Sequence, residues 1–365
     1  MNKIFVKTII NIILSIILIL PTPVVSMAET TNNPTNPTSD NTITADSQID
    51  ASENTKKILF VGNSMTSAKE SITGDLKNII SDTNENAEID TMICFGKGFK
   101  EYADKKSKQG RRLRNMLKNK KYDVIVFQEQ PSALVTAFDT ETYPCFKTLK
   151  ELAVKNGARP IIYMTWRFNY TFKRKIKGVV YKYTPKQMID IMTKNSLKLG
   201  LNYGTKVVTA GLYLEHSNNI KPQISMWRPN ENKHQSYSSA YLVACVFYRE
   251  LFDKSPTSIN YFGKVPEPNA TYLQQIADLN MSLNTNRVKI KRGDKFKLKA
   301  SITSLSQNNK YLSKKLTFIY KSSNPKVATV NAKTGNVKGI KKGRAIIYVT
   351  SKQTGLAKAC VVTVK

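Results

Sequence analysis

Histidine is nearly missing. The chain of 365 residues holds two, His216 and His234, so any imidazole chemistry is confined to those positions. Cysteine is scarce as well. Cys94, Cys145, Cys245 and Cys360 show no CxxC spacing, which excludes zinc-ribbon and dithiol redox chemistry and leaves no metal or other cofactor to expect. Three of them sit in apolar runs and read as small buried hydrophobes. A membrane-spanning run is lacking too: Ile9 to Leu20 is short for a bilayer and is interrupted by Asn11 and Ser15. Acids are in short supply, 26 Asp and Glu against 57 Lys and Arg, for a net charge of +31. The deficit is greatest from Leu283 onward, where 20 basic residues face the single acid Asp294, a net +19.

A field of that size draws polyanions. Residues 1–28 read as an export signal, with Lys3 and Lys7 before the apolar stretch and Ser26-Met27-Ala28 as a cleavage site. The product is therefore expected to be secreted or extracellular, possessing no transmembrane anchor after cleavage. Anionic wall polymers, acidic polysaccharides or anionic lipid then become the expected partners of the basic C-terminal region, wall polymers first, and nucleic acid does not. Residues 29–55, rich in Thr, Asn, Ser and Pro, cannot bury enough surface to fold and read as a linker.

From Lys56 the pattern alternates. Apolar strands at 58–61, 89–95, 122–127, 160–165 and 206–209 are interleaved with helical stretches near 69–81, 100–118, 141–156, 185–199 and 236–251. Strand and helix alternating five times predicts a parallel sheet covered on both faces, and a further helix is expected over 270–281. Beyond Leu283 the texture becomes short alternating runs between Gly, Asn and Ser turns, an all-β sandwich pattern. The expected boundary lies at 282.

Ser64 follows the first strand in a tight turn opened by Gly62 and Asn63, where an open α/β sheet displays a reactive group. Glu231-Asn232-Lys233-His234 precedes a helix, and an acid three residues before a histidine can orient the ring for proton transfer from a serine. With flavodoxin-type strand order, the loops after strands one and three share a crevice. Gln128-Glu129-Gln130 then faces Ser64, and an amide there, or a backbone N–H of Gly96-Lys97-Gly98, can serve a developing oxyanion. His216, after the fifth strand, is the rival histidine.

These blocks resemble the SGNH/GDSL hydrolase family over roughly 56–280: Gly62-Asn63-Ser64-Met65-Thr66 as the first block and Glu231-Asn232-Lys233-His234 as the last. The resemblance implies a three-layer flavodoxin-like α/β fold, Ser64 as nucleophile, His234 as base and Glu231 as orienting acid. It also implies an oxyanion hole of the Ser64 N–H, Gly98 and either Gln130 or Gln128. Glu231 replaces the family's aspartate, and Gln128-Glu129-Gln130-Pro131 replaces its Gly-x-Asn-Asp. Thr66 breaks a Gly-x-Ser-x-Gly elbow, which argues against an α/β-hydrolase lipase. Lys321-Ser322-Ser323-Asn324-Pro325, Gly335-Asn336-Val337-Lys338-Gly339 and Gly343-Arg344-Ala345 resemble bacterial Ig-like group 2 domains over 283–365, implying an Ig-like sandwich that serves adhesion or spacing.

Aromatics and cations alternate over 163–183 without an acid, so Trp166, Arg167 and Tyr170 are expected to bind substrate at the rim of the crevice; a hairpin packed on the domain is the alternative. The resulting expectation is a serine esterase acting on an acylated carbohydrate or cell-envelope polymer. A lipase or thioesterase, an acyl transferase and a non-catalytic adhesin of the same shape are the rivals.

Overall fold

The computed structural model describes residues 55–313 and 315–365; the expected signal and almost all of the linker lie outside them. Strand β1 (Lys56–Gly62) is central because Ile58 to Val61 are all buried, as a strand covered on both faces requires. Parallel to it run β2 (Ala87–Ile93) on one side and β3 (Val124–Gln128) on the other, followed by β4 (Arg159–Tyr163) and β7 (Lys206–Val208). The order β2-β1-β3-β4-β7 is the flavodoxin type.

Helices α1 (Ile72–Asp82), α7 (Ala210–Ile220), α8 (Tyr237–Phe252) and α9 (Glu267–Ala277) pack as one set. Helices α2 (Phe99–Ala103), α3 (Lys108–Asn119), α4 (Pro131–Thr136), α5 (Tyr143–Asn156) and α6 (Pro185–Tyr203) form the other. Phe60 meets Phe247 of α8 edge-on at 5.0 Å on one face of the sheet. Phe127 meets Phe99 of α2 and Phe146 of α5 on the other, at 6.5 and 6.2 Å. The fold is therefore three layers, helices–sheet–helices.

Three expectations are corrected. The stretch 100–118 is two helices, since Asp104 ends the first and Ser107 caps the second through Gly110 N. Helix α7, which carries His216, follows β7 directly, where the expected alternation places no helix before 236–251. The last helix stops at Ala277, and Leu279–Leu283 is a strand, β8, paired antiparallel with β11 (Ala300–Ser304). Asp278 ends the helix and accepts from Ser306 N at 3.0 Å, so the strand-rich region begins a few residues earlier than 283.

That region's main sheet is β12-β15-β16-β9, built from Phe318–Ser322, Gly343–Ser351, Ala357–Val364 and Arg287–Ile290. Strands β10 (Lys295–Lys297), β13 (Ala328–Val330) and β14 (Asn336–Gly339) form a second one. Tyr320, Ile347, Val349, Cys360 and Val362 fill the space between them. Strands β5 (Phe172–Ile176) and β6 (Val179–Tyr183) make a separate hairpin turned by Lys177 and Gly178, both at positive φ. No helix among the described residues is long and apolar enough to cross a membrane.

Candidate active site

The switch point lies between β1 and β3, and the chain's reactive groups gather there. Ser64 sits two residues past the end of β1, on a nine-residue connection to α1 whose cap, Ser71, accepts from Gly74 N. Asn63 ties this connection to its neighbours: its N–H donates to Gln128 Oε1 at 2.8 Å, and its Nδ2 donates to Lys97 O at 2.7 Å. Gly62 is needed because a Cβ there would come within 2.7 Å of Gln128 Oε1 and of Thr66 Oγ1.

Ser64 Oγ lies 2.8 Å from His234 Nε2, across 170 positions of sequence. The other ring nitrogen, Nδ1, is hydrogen bonded to Glu231 Oε1. A serine, an imidazole and a carboxylate in this order can move a proton off the hydroxyl while the acid holds the ring. The segment carrying the last two is kept in shape by Asn230 and Asn232, both in the left-handed region that Asn tolerates, and by Arg228 N donating to His234 O at 2.9 Å. Gln235, fully buried, locks the two loops together: its Nε2 donates to Ser64 O at 3.1 Å and to Glu70 O at 2.8 Å.

Arg228 and Glu70 extend the constellation. Arg228 Nη1 donates to Glu231 Oε2 at 3.0 Å, and Nη2 pairs with the buried carboxylate of Glu70. Glu231 is thus held from both sides. Burial pushes the His234 imidazole below its ordinary value of 6.5, with the Arg228 cation pushing the same way, so the ring stays neutral and ready to accept a proton.

A cleft of about 380 Å³ opens over Ser64 and His234, lined also by Phe95, Gly96, Gln130 and Lys233. The Ser64 N–H, the Gly96 N–H and the Gln130 side-chain amide make no hydrogen bond with a described residue. They are hydrogen-bond donors without a partner at or beside the cleft. Of the residues expected there, Gly98 is corrected: its N–H donates to Glu101 Oε2 at 3.0 Å, and Gly96 takes its place at the cleft. Gln128 is corrected too. It is buried, accepts from Asn63 N and Thr66 Oγ1, and donates to Glu129 O, which leaves it a clamp.

Glu129 between them is buried, and burial raises its carboxyl to about 7 despite donors from Gln130 N at 2.8 Å, Phe99 N at 3.0 Å and Thr142 Oγ1 at 3.1 Å. It joins the loop after β2 to the loop after β3. A Cβ at position 98 would lie 2.1 Å from its Oε1, which accounts for the second glycine of Gly96-Lys97-Gly98.

The expected aromatic rim is largely inside. Trp166 is fully buried and donates from Nε1 to Lys233 O at 3.0 Å, so it props the His234 segment from below. Arg167 is buried, pairs with Glu215 at 3.0 Å and stacks on Trp227 at 4.5 Å. Only Tyr170 is exposed, stacked on Phe168 at 5.3 Å, and it does not line the cleft. His216 is buried on α7, where burial lowers it to about 4, and its Nε2 has no partner among the described residues. It does not reach Ser64. No cluster of three or more His, Cys, Asp or Glu able to hold a metal occurs among the described residues, and all four cysteines are free thiols.

Sequence reasoning missed Arg228, Glu70, Gln235 and Phe95. Arg228 stands three residues before Glu231, a helical-turn spacing that could have flagged it. Glu70 and Gln235 act through contacts that no local pattern announces.

Residues 279–362 match the bacterial Ig-like domain (group 2). The start of that match coincides with β8. For the Ig-like domain and the region before it, no curated protein matches. Among solved structures, a DUF4886 family protein from Bacteroides uniformis ATCC 8492 is similar at 14% identity with a TM-score of 0.50, over 61% of this chain and 93% of its own. A candidate SGNH hydrolase from Slackia heliotrinireducens is similar at 22% identity and TM-score 0.44, over 54% of this chain and 100% of its own. An acetyl xylan esterase is similar at 10% identity and TM-score 0.41, over 53% and 99%. The likeness is one of fold: SGNH and GDSL proteins are structural neighbours of the α/β region.

Proposed function

We propose that the chain is a secreted serine esterase that removes acyl groups, O-acetyl first among them, from a carbohydrate or cell-envelope polymer. The observation carrying this reading is the 2.8 Å contact between Ser64 Oγ and His234 Nε2, with Glu231 behind the ring. In the reaction, Ser64 Oγ bonds to the ester carbonyl carbon as its proton passes to His234 Nε2. Negative charge on the carbonyl oxygen meets the Ser64 and Gly96 N–H groups and the Gln130 amide. The carbon–oxygen bond to the sugar breaks, and His234 returns the proton to that oxygen. Water, deprotonated by the same ring, then attacks the acyl-enzyme, and the carboxylic acid leaves with Ser64 restored.

The cleft favours a short acyl group, because the cations Lys69, Arg228 and Lys233 line it beside Ser64. Export rests on the sequence of residues 1–28. Retention on anionic wall polymers rests on the charge of the Ig-like domain.

Hydrolysis of a series of esters from acetyl to decanoyl tests the reading, with Ser64→Ala as blank. Activity should be highest on acetyl esters and fall to the blank in the variant. Equal turnover by Ser64→Ala would refute it, and a maximum at long chains would favour a lipase.

A further inference from the structure

The cleft over Ser64 does not end at its own walls. A second cavity of about 450 Å³ shares Gly96, Gln130 and Lys233 with it and runs to Arg174 on the β5–β6 hairpin. The two together form a groove with Lys69 near the Ser64 end, Lys233 at the junction and Arg174 at the far end. The charges along it are only partly paired. Arg228 is neutralised by Glu70 and Glu231, and Lys100 by Glu141 at 2.8 Å. The second cavity holds two further acids: Glu129, buried and accepting three hydrogen bonds, and Glu101, half-buried, which accepts from Gly98 N and forms no ion pair with a described residue. Lys69, Lys233 and Arg174 form no ion pair with any described residue; Lys233 only lies over the Phe168 ring at 5.8 Å. Beside them Phe95, 68% exposed, presents an apolar face to the first cavity.

An aromatic face next to three cations without ion-pair partners suits a sugar ring that itself carries negative charge. We infer that the groove binds an acidic polysaccharide, so that the ester at Ser64 sits on an anionic chain whose neighbouring units pair with Lys69, Lys233 and Arg174. This rests on the esterase reading above and names its substrate class. The chain would stack one unit on Phe95 and pass over Lys233 toward the hairpin. A neutral chain would gain the stacking and leave all three cations without partners.

The experiment measures acetate release by the full-length protein from an O-acetylated polyuronate and from a neutral O-acetylated xylan, at about 20 mM and about 500 mM NaCl. In low salt kcat/KM should be about tenfold higher on the polyuronate, and the advantage should shrink toward unity in high salt. Lys69→Gln, Lys233→Gln and Arg174→Gln should each lower the polyuronate-to-xylan ratio about two- to fivefold. Equal or better turnover of xylan, or a preference that salt leaves untouched, would overturn the inference. The wild-type comparison stands even if a variant does not fold. Hydrolysis of small esters with no acetate released from either polymer also overturns it, while leaving the esterase reading intact. Failure on every ester overturns the esterase reading itself.

Discussion

His234 has its proton affinity set by what surrounds it. Burial and the Arg228 cation both disfavour the imidazolium, so the ring remains a base at lower pH than a free histidine would. Since the neutral ring is the working form, activity is present above its folded pKa and lost as pH falls through it. The acid limb of kcat/KM should therefore have its midpoint below 6.5, the ordinary value. A midpoint at or above 7 would contradict the arrangement. Ser64, Glu231 and His234 were legible in the sequence because each sits in a short block whose spacing has a chemical meaning. Trp166 and Arg167 were misread for a physical reason: an alternation of aromatics and cations looks the same whether it overhangs a cleft or is folded beneath it. Here the indole is spent on Lys233 O and the guanidinium on Glu215. The Arg228–Glu70 pair joins positions 158 residues apart, beyond the reach of any local signal.

Among the elements, the loops after β1, β2 and β3 behave as one unit. Asn63 bridges the first to the second, Gln128 the first to the third, and Glu129 the second to the third. Gly98 is the tightest point of this unit. Its backbone is extended, at φ −140° and ψ −162°, so alanine there brings no conformational strain, only the contact with Glu129. Gly98→Ala should displace Glu129 and with it Gln130, lowering kcat by about ten- to a hundredfold. Circular dichroism and the melting temperature would show whether the fold survives; unchanged kcat in a folded variant would refute the link. The parallel sheet was legible because buried apolar runs alternate with helical periodicity. The break between α2 and α3, the extra helix α7 and the start of β8 were not. Capping at Ser107 and the pairing of Leu279–Leu283 with Ala300–Ser304 depend on local turns and on strands met only after folding.

At the scale of the molecule, the Ig-like domain rests against the α/β region rather than hanging free. Arg344 Nη2 donates to Asn202 Oδ1 at 2.8 Å, Arg287 donates to Leu201 O, and β16 packs on α6. Glu250 is the charged centre of the seam. Burial opposes its ionisation, but Arg249, Lys206 and Lys358 of the Ig-like domain hold it at about 2. From Leu283 onward most of the described basic residues are exposed, leaving that region's net +19 to act on the surroundings. Binding of the full chain to an anionic wall polymer should be strong at about 50 mM salt and largely lost by about 500 mM. Salt-insensitive binding, or none, would contradict electrostatic retention.

The account turns on Ser64 being activated by His234. Exposure to a fluorophosphonate followed by peptide mass mapping tests it most directly. A single adduct on the peptide bearing Ser64, absent in Ser64→Ala and slowed at least a hundredfold in His234→Ala, is the expected result. No adduct, or labelling that persists at the wild-type rate without His234, would contradict it.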